Sequence, residues 1–126
     1  ITKGRIPFGE DFKAYCGEVW YCANHRCAAR LIDFFEADRK VANHYRTTLV
    51  PEESYPQTVL ANTPGLSLSQ NILRYIDWTE RKSNPKILTE VDFGSMVTST
   101  AHFARKFDVE KSRNLLSQLD EIVFKF

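Results

Sequence analysis

The stretch VPEESYPQTVLAN, Val50 to Asn62, carries prolines at 51 and 56, and one unbroken helix cannot hold both. Proline lacks a backbone N–H, fixes φ and pushes the residue before it away from helical geometry. Pro51 suits the first turn of a helix, so Pro56 leaves two solutions. Either the helix starts again at Pro56, or it is kinked there. In both, Glu52 and Glu53 fall at a helix start. Carboxylates there are ordinarily companions of the helix dipole. The functional alternative is that one of them points into a cleft as a general base.

Around this point the chain alternates between helical and extended patterns. AYCGEVWYCA (Ala14 to Ala23) reads as a short strand or its approach. From Asn24, a candidate N-cap, to Tyr45, the positions Ala28, Leu31, Ile32, Phe35, Val41 and Ala42 recur at helical spacing. NTPGLSLS is a loop by composition. ILRYIDW alternates Ile72, Arg74, Ile76 and Trp78 against Leu73, Tyr75 and Asp77, a strand with mixed faces. TEVDFGSMV starts another helix, with Thr89 as cap and Asp92 three residues on. A last helix is expected from Asp108 as N-cap, burying Val109, Leu115, Leu116, Leu119, Ile122 and Val123. The pattern predicts an α/β chain, rich in helix with a few short strands.

With 126 residues, 43% of them hydrophobic, the chain can bury a core. A net charge of +1 excludes a broad basic field and with it nucleic acid as the main partner, so any anion site is local. No apolar run reaches the roughly 18 to 20 residues of a membrane span. Cys16, Cys22 and Cys27 are an odd number, which favours a reducing compartment over a disulfide framework. Cys22, His25 and Cys27 match no common zinc spacing, and the three histidines have no nucleophilic partner in the pattern. No metal ligand set is read from the sequence.

FARKFD, Phe103 to Asp108, sets an arginine and a lysine between two phenylalanines. The plain reading is a solvated pair. The other is that the rings anchor a segment offering a planar donor fork and a point charge, a combination suited to phosphate oxygens.

GEVW, PEESYPQTVLANT, NILRYIDW, NPKILTEVDF and FARKFD, in that order, together resemble the core-2/I-branching N-acetylglucosaminyltransferase and peptide O-xylosyltransferase family, from about Gly17 to the end. The resemblance implies the C-terminal portion of one glycosyltransferase domain with an A-type, Rossmann-like nucleotide-sugar fold, the nucleotide-binding part preceding residue 1. It implies an inverting, metal-independent transfer of N-acetylglucosamine or xylose from a uridine-diphosphate sugar to a glycan or glycoprotein acceptor, with no cofactor. Glu53 would be the catalytic base. Arg105 and Lys106 would bind the donor diphosphate, with Arg74 as a further candidate. Trp20, Glu18, Trp78 and Asp77 would lie near the acceptor or sugar. Glu18 replaces the family's usual small residue, and Pro56 stands where an aromatic is common. No Asp-x-Asp motif occurs in these 126 residues. The absence of cysteines after residue 27 favours a bacterial-like or otherwise simplified member. Membrane association would come through a preceding region, and the compartment follows the source: cytoplasmic or membrane-associated in a bacterium, Golgi lumen in a eukaryote. The alternative function is a sugar- or nucleotide-binding module that keeps the fold without turnover.

Overall fold

A computed structural model describes residues 6–124. The chain divides into two compact units, residues 1–70 and 71–126. No helix of the described residues is long and apolar enough to cross a membrane.

In the first unit the expected single helix from 24 to 45 is two helices, α1 His25–Ala37 and α2 Arg39–Arg46. Asn24 caps α1 as expected, its side chain accepting the Cys27 N–H at 3.0 Å. The break comes at Asp38, whose Oδ1 accepts the N–H groups of Lys40 and Val41, both at 3.0 Å. An aspartate that caps a new turn competes with continuing the old one. Of the expected apolar stripe, Val41 and Ala42 are buried while Ile32 is 61% exposed.

The proline question resolves as a restart. Pro51–Glu53 form a 3₁₀ turn, and α3 runs Tyr55–Ala61 with Pro56 in its first turn, where a missing N–H costs nothing. Val59 and Leu60 of α3 are buried, as are Val41, Ala42 and Tyr45 of α2. Tyr55 donates to the Leu31 carbonyl at 2.5 Å, and burial pushes its phenol up to about 12 against the opposing pull of Arg30.

Residues 14–23, expected as a short strand or its approach, form no strand. Their polar backbone groups meet α3 instead. Lys13 N–H and C=O bond the Asn62 amide at 3.1 and 2.7 Å. Tyr15 N–H donates to Thr58 Oγ1 at 2.9 Å, and its carbonyl accepts from Ser54 at 2.8 Å and Thr58 at 3.1 Å. Ser54, Thr58 and Asn62 are four residues apart and so lie on one helix face. With no neighbouring strand, side chains of a helix satisfy the extended chain.

The second unit contains two short parallel strands, β1 Arg74–Ile76 and β2 Phe103–Arg105, with Arg74 opposite Phe103 and Ile76 opposite Arg105. Parallel neighbours need a crossover, and here it contains a 3₁₀ turn, Glu90–Asp92, and α4, Phe93–Thr98. The capping box is present, Thr89 N–H reaching Asp92 Oδ2 at 2.9 Å. β2 makes FARKFD part strand, which its charge pattern did not suggest. α5, Arg113–Val123, starts later than expected. Asp108 caps only the preceding turn, accepting from Glu110 and Lys111 at 3.1 and 2.9 Å. Leu115 is buried, but Val109, Ile122 and Val123 are exposed, so the expected stripe is buried only in part. Leu88, Met96 and Leu115 form the core, with Tyr75, Ala104 and Phe107 against it.

Thr58 is fully buried and bonds Tyr15 and the Tyr45 hydroxyl. Thr58→Val keeps the shape and strands these partners, so urea denaturation is expected to show a loss of about 1 to 3 kcal/mol. An unchanged midpoint would mean that this ladder adds nothing to stability.

Candidate active site

Glu53 ends the 3₁₀ turn and is exposed. Its carbonyl accepts the Gly17 N–H at 2.9 Å, and the Gln57 amide donates to the Glu18 carbonyl at 2.9 Å and the Glu52 carbonyl at 3.4 Å. The fold thus fastens the GEVW motif to the turn that carries both glutamates. A Cβ on residue 17 would stand 2.9 Å from Gln57 Cγ, near the root of that side chain and so unable to swing away cheaply. The close approach explains the glycine. Gln57 Oε1 is buried with no hydrogen-bond partner. Trp20 follows at 50% exposure, and Tyr15, Val19 and Tyr21 near it in sequence are exposed as well. The Glu18 side chain is solvent-exposed.

In the second unit the three basic candidates divide. Side chains alternate along a strand, and Tyr75 and Ala104 face the core. Arg74 and Arg105 therefore share the other face, two register positions apart. The Arg74 guanidinium lies 5.0 Å from the Phe103 ring centroid, within cation–π range, and donates to the Ile72 carbonyl at 2.9 Å. Leu73, just before β1, sits at φ 54, a conformation that a bulky residue adopts at a cost. The rings of FARKFD have different roles. Phe107 packs on the core, while Phe103 is 56% exposed beneath Arg74. Lys106 is held by its backbone, its carbonyl accepting the Leu88 N–H at 2.9 Å, and lines a cavity of 460 Å³ that Arg105 does not line.

Asp77 is engaged at its own carboxylate. Thr79 donates to it from N–H at 2.8 Å and from Oγ1 at 2.6 Å, and these bonds hold its carboxyl below the usual range, with Lys86 assisting. Lys86 lies 3.6 Å from Asp77 and 2.6 Å from Asp92. The hydrogen bond to Asp92 comes first in raising its ammonium above the usual value. Trp78 is half-exposed. Sequence reasoning missed Gln57 and Lys86, both of which organise motifs. Lys86 had a signal, standing beside Pro85 within the recognised NPKILTEVDF.

Comparison with known proteins gives the family. The model of the core-2/I-branching enzymes matches residues 1–99, a range that includes four of the five motifs and stops before FARKFD. Two Arabidopsis thaliana proteins, beta-glucuronosyltransferases GlcAT14B and GlcAT14A, are 30% and 31% identical over 123 and 126 residues, covering 90% and 96% of this chain. The chain spans 27% of the length of each. The chain belongs to the core-2/I-branching enzyme family.

Gly17→Ala is expected to destabilise the protein by about 1 to 3 kcal/mol through the clash with Gln57. Gln57→Ala removes the obstructing Cγ, so the double variant should lose less than the two single costs added together. Additive losses in a denaturation cycle would mean that the contact does not set the choice of glycine.

Proposed function

We infer that this chain is part of an inverting glycosyltransferase domain that moves a sugar from a uridine-diphosphate donor to an acceptor hydroxyl, with Glu53 as general base. The observation that carries the reading is the bond from Gly17 to the Glu53 carbonyl. It joins the acceptor-side motif to the turn bearing the base, as a deprotonation at the acceptor requires. Glu53 takes the proton as the acceptor oxygen attacks the anomeric carbon, and the bond to the diphosphate breaks on the opposite side. Arg105 and Lys106, with Arg74, offset the charge growing on that leaving group. Trp20, Glu18, Trp78 and Asp77 border the sugars. The βαβ arrangement of β1, α4 and β2 is compatible with an A-type, Rossmann-like domain. The family suggests N-acetylglucosamine or xylose as the donor sugar. The names of the two Arabidopsis relatives favour glucuronic acid, which we take as the first donor to test.

Transfer by the full-length protein should be compared for the three uridine-diphosphate sugars, and Glu53→Gln assayed with the best. That substitution keeps the shape and removes the base, so the rate should fall about 100-fold or more with donor affinity little changed. Glu52→Gln should be mild. An active Glu53→Gln enzyme would sink the assignment, and donor binding without transfer by the unmodified protein would favour the binding module.

The same reading makes turnover independent of divalent metal, because positioned cations perform the neutralisation a metal would supply. Activity of the full-length enzyme should survive excess EDTA, and added manganese or magnesium should give little gain. Loss on chelation, restored by manganese, would overturn this part of the mechanism.

A further inference from the structure

The 460 Å³ cavity of the second unit carries four lysines on its wall, Lys82, Lys86, Lys106 and Lys111, and a single carboxylate, Glu80. Two of these cations are already matched. Lys82 pairs with Glu80 at 2.8 Å, and Lys86 with Asp92 at 2.6 Å. Lys106 and Lys111 are exposed; among the described residues neither is in a salt bridge, although the Asp108 carboxylate feels the charge of Lys111.

The fold fixes both stems. Lys106 is tied to Leu88 through its carbonyl, and Asp108, two residues on, binds the Lys111 N–H at 2.9 Å. The buried Ser112 locks that turn, receiving the Asp108 N–H at 3.0 Å and donating to the Leu88 carbonyl at 2.6 Å. Leu88 therefore anchors the backbone on both sides of the two lysines. Like charges gathered on a concave wall repel one another and concentrate anions. The Asn84 amide on the same wall adds donor capacity.

We propose that this cavity is an anion site in which Lys111 is a second phosphate-binding lysine beside Lys106, the two together gripping a diphosphate. The identity of that diphosphate as part of a nucleotide-sugar donor rests on the transfer reading above, whereas the pairing of the two lysines does not.

Calorimetry on the full-length protein with UDP and with inorganic diphosphate tests this. Lys111→Ala and Lys106→Ala should each weaken both probes about 10-fold or more. Lys40→Ala, which removes the same charge from an exposed position on α2, should change neither by more than about twofold. Lys111→Glu should weaken binding further than Lys111→Ala, and Lys111→Arg should retain most of it. A Lys111→Ala affinity no weaker than that of Lys40→Ala overturns the proposal, even in an enzyme that transfers sugar. Lys111-dependent binding of inorganic diphosphate by a protein that turns over no nucleotide sugar upholds the anion site and removes the transfer reading. Failure of the unmodified protein to bind either probe overturns the proposal.

Discussion

The first unit depends on a coincidence of two periods. Four residues of α-helix advance about 6 Å, and two residues of extended chain advance about 6.6 Å. A polar side chain every fourth residue on a helix can therefore serve every second residue of a chain laid along it. Asn62 meets Lys13, Thr58 meets Tyr15, and Gly17 reaches the turn before Ser54. The helix replaces the missing neighbour strand. The arrangement tolerates little freedom, because the extended segment must lie close enough for serine and threonine hydroxyls to reach its backbone. That closeness leaves no room for a side chain on residue 17. The ladder also explains why Ser54 does not cap α3 through its side chain, since its hydroxyl donates to Tyr15 and meets Tyr45 at 2.8 Å.

In the second unit the organising group is a lysine held between two aspartates. Asp92 closes the capping box on Thr89 with one oxygen and receives Lys86 with the other. Asp77 lies beyond the end of β1 and takes Thr79 and Lys86. These contacts tie the start of the crossover to the exit of a strand too short to hold itself. A three-residue parallel pair has little strength of its own. Its position depends on Tyr75 and Ala104 against the Leu88, Met96 and Leu115 core. The exposed face is left to Arg74, Phe103 and Arg105.

What could be read from the sequence was what local chemistry decides. The Asn24 cap, the capping box at Thr89 and the loop at NTPG follow from short-range hydrogen bonding and backbone preference. So did the helix start near Pro51, although the choice between restart and kink needed the surroundings of Ser54. The short strand or its approach expected at 14–23 forms no strand because its hydrogen-bond partners lie about 40 residues away on a helix, and periodicity carries no record of a partner. The stripe expected on α5 failed for a related reason: its spacing is helical, but the small core covers only the Leu115 side. In the candidate site, Glu53 and the basic residues were singled out by motif resemblance, and their roles are proposals. The division of Arg105 from Lys106, one on a sheet face and the other on a cavity wall, was hidden because adjacency in sequence does not fix direction.

The motif order that marks the family has a physical counterpart in the backbone. Gly17 of the first motif donates to Glu53 of the second at 2.9 Å. Asp77 of the third accepts from Lys86 of the fourth at 2.8 Å. Leu88, still in the fourth, donates to Lys106 of the fifth at 2.9 Å. Each bond joins main chain to main chain, so side-chain identity is free to serve other ends. What the bonds demand is backbone conformation and close approach, which at residue 17 leaves room only for glycine. A side chain placed for chemistry must be held by something other than itself. Here the residues proposed to act, Glu53 and Lys106, are fixed by their carbonyls, leaving their side chains to meet substrate.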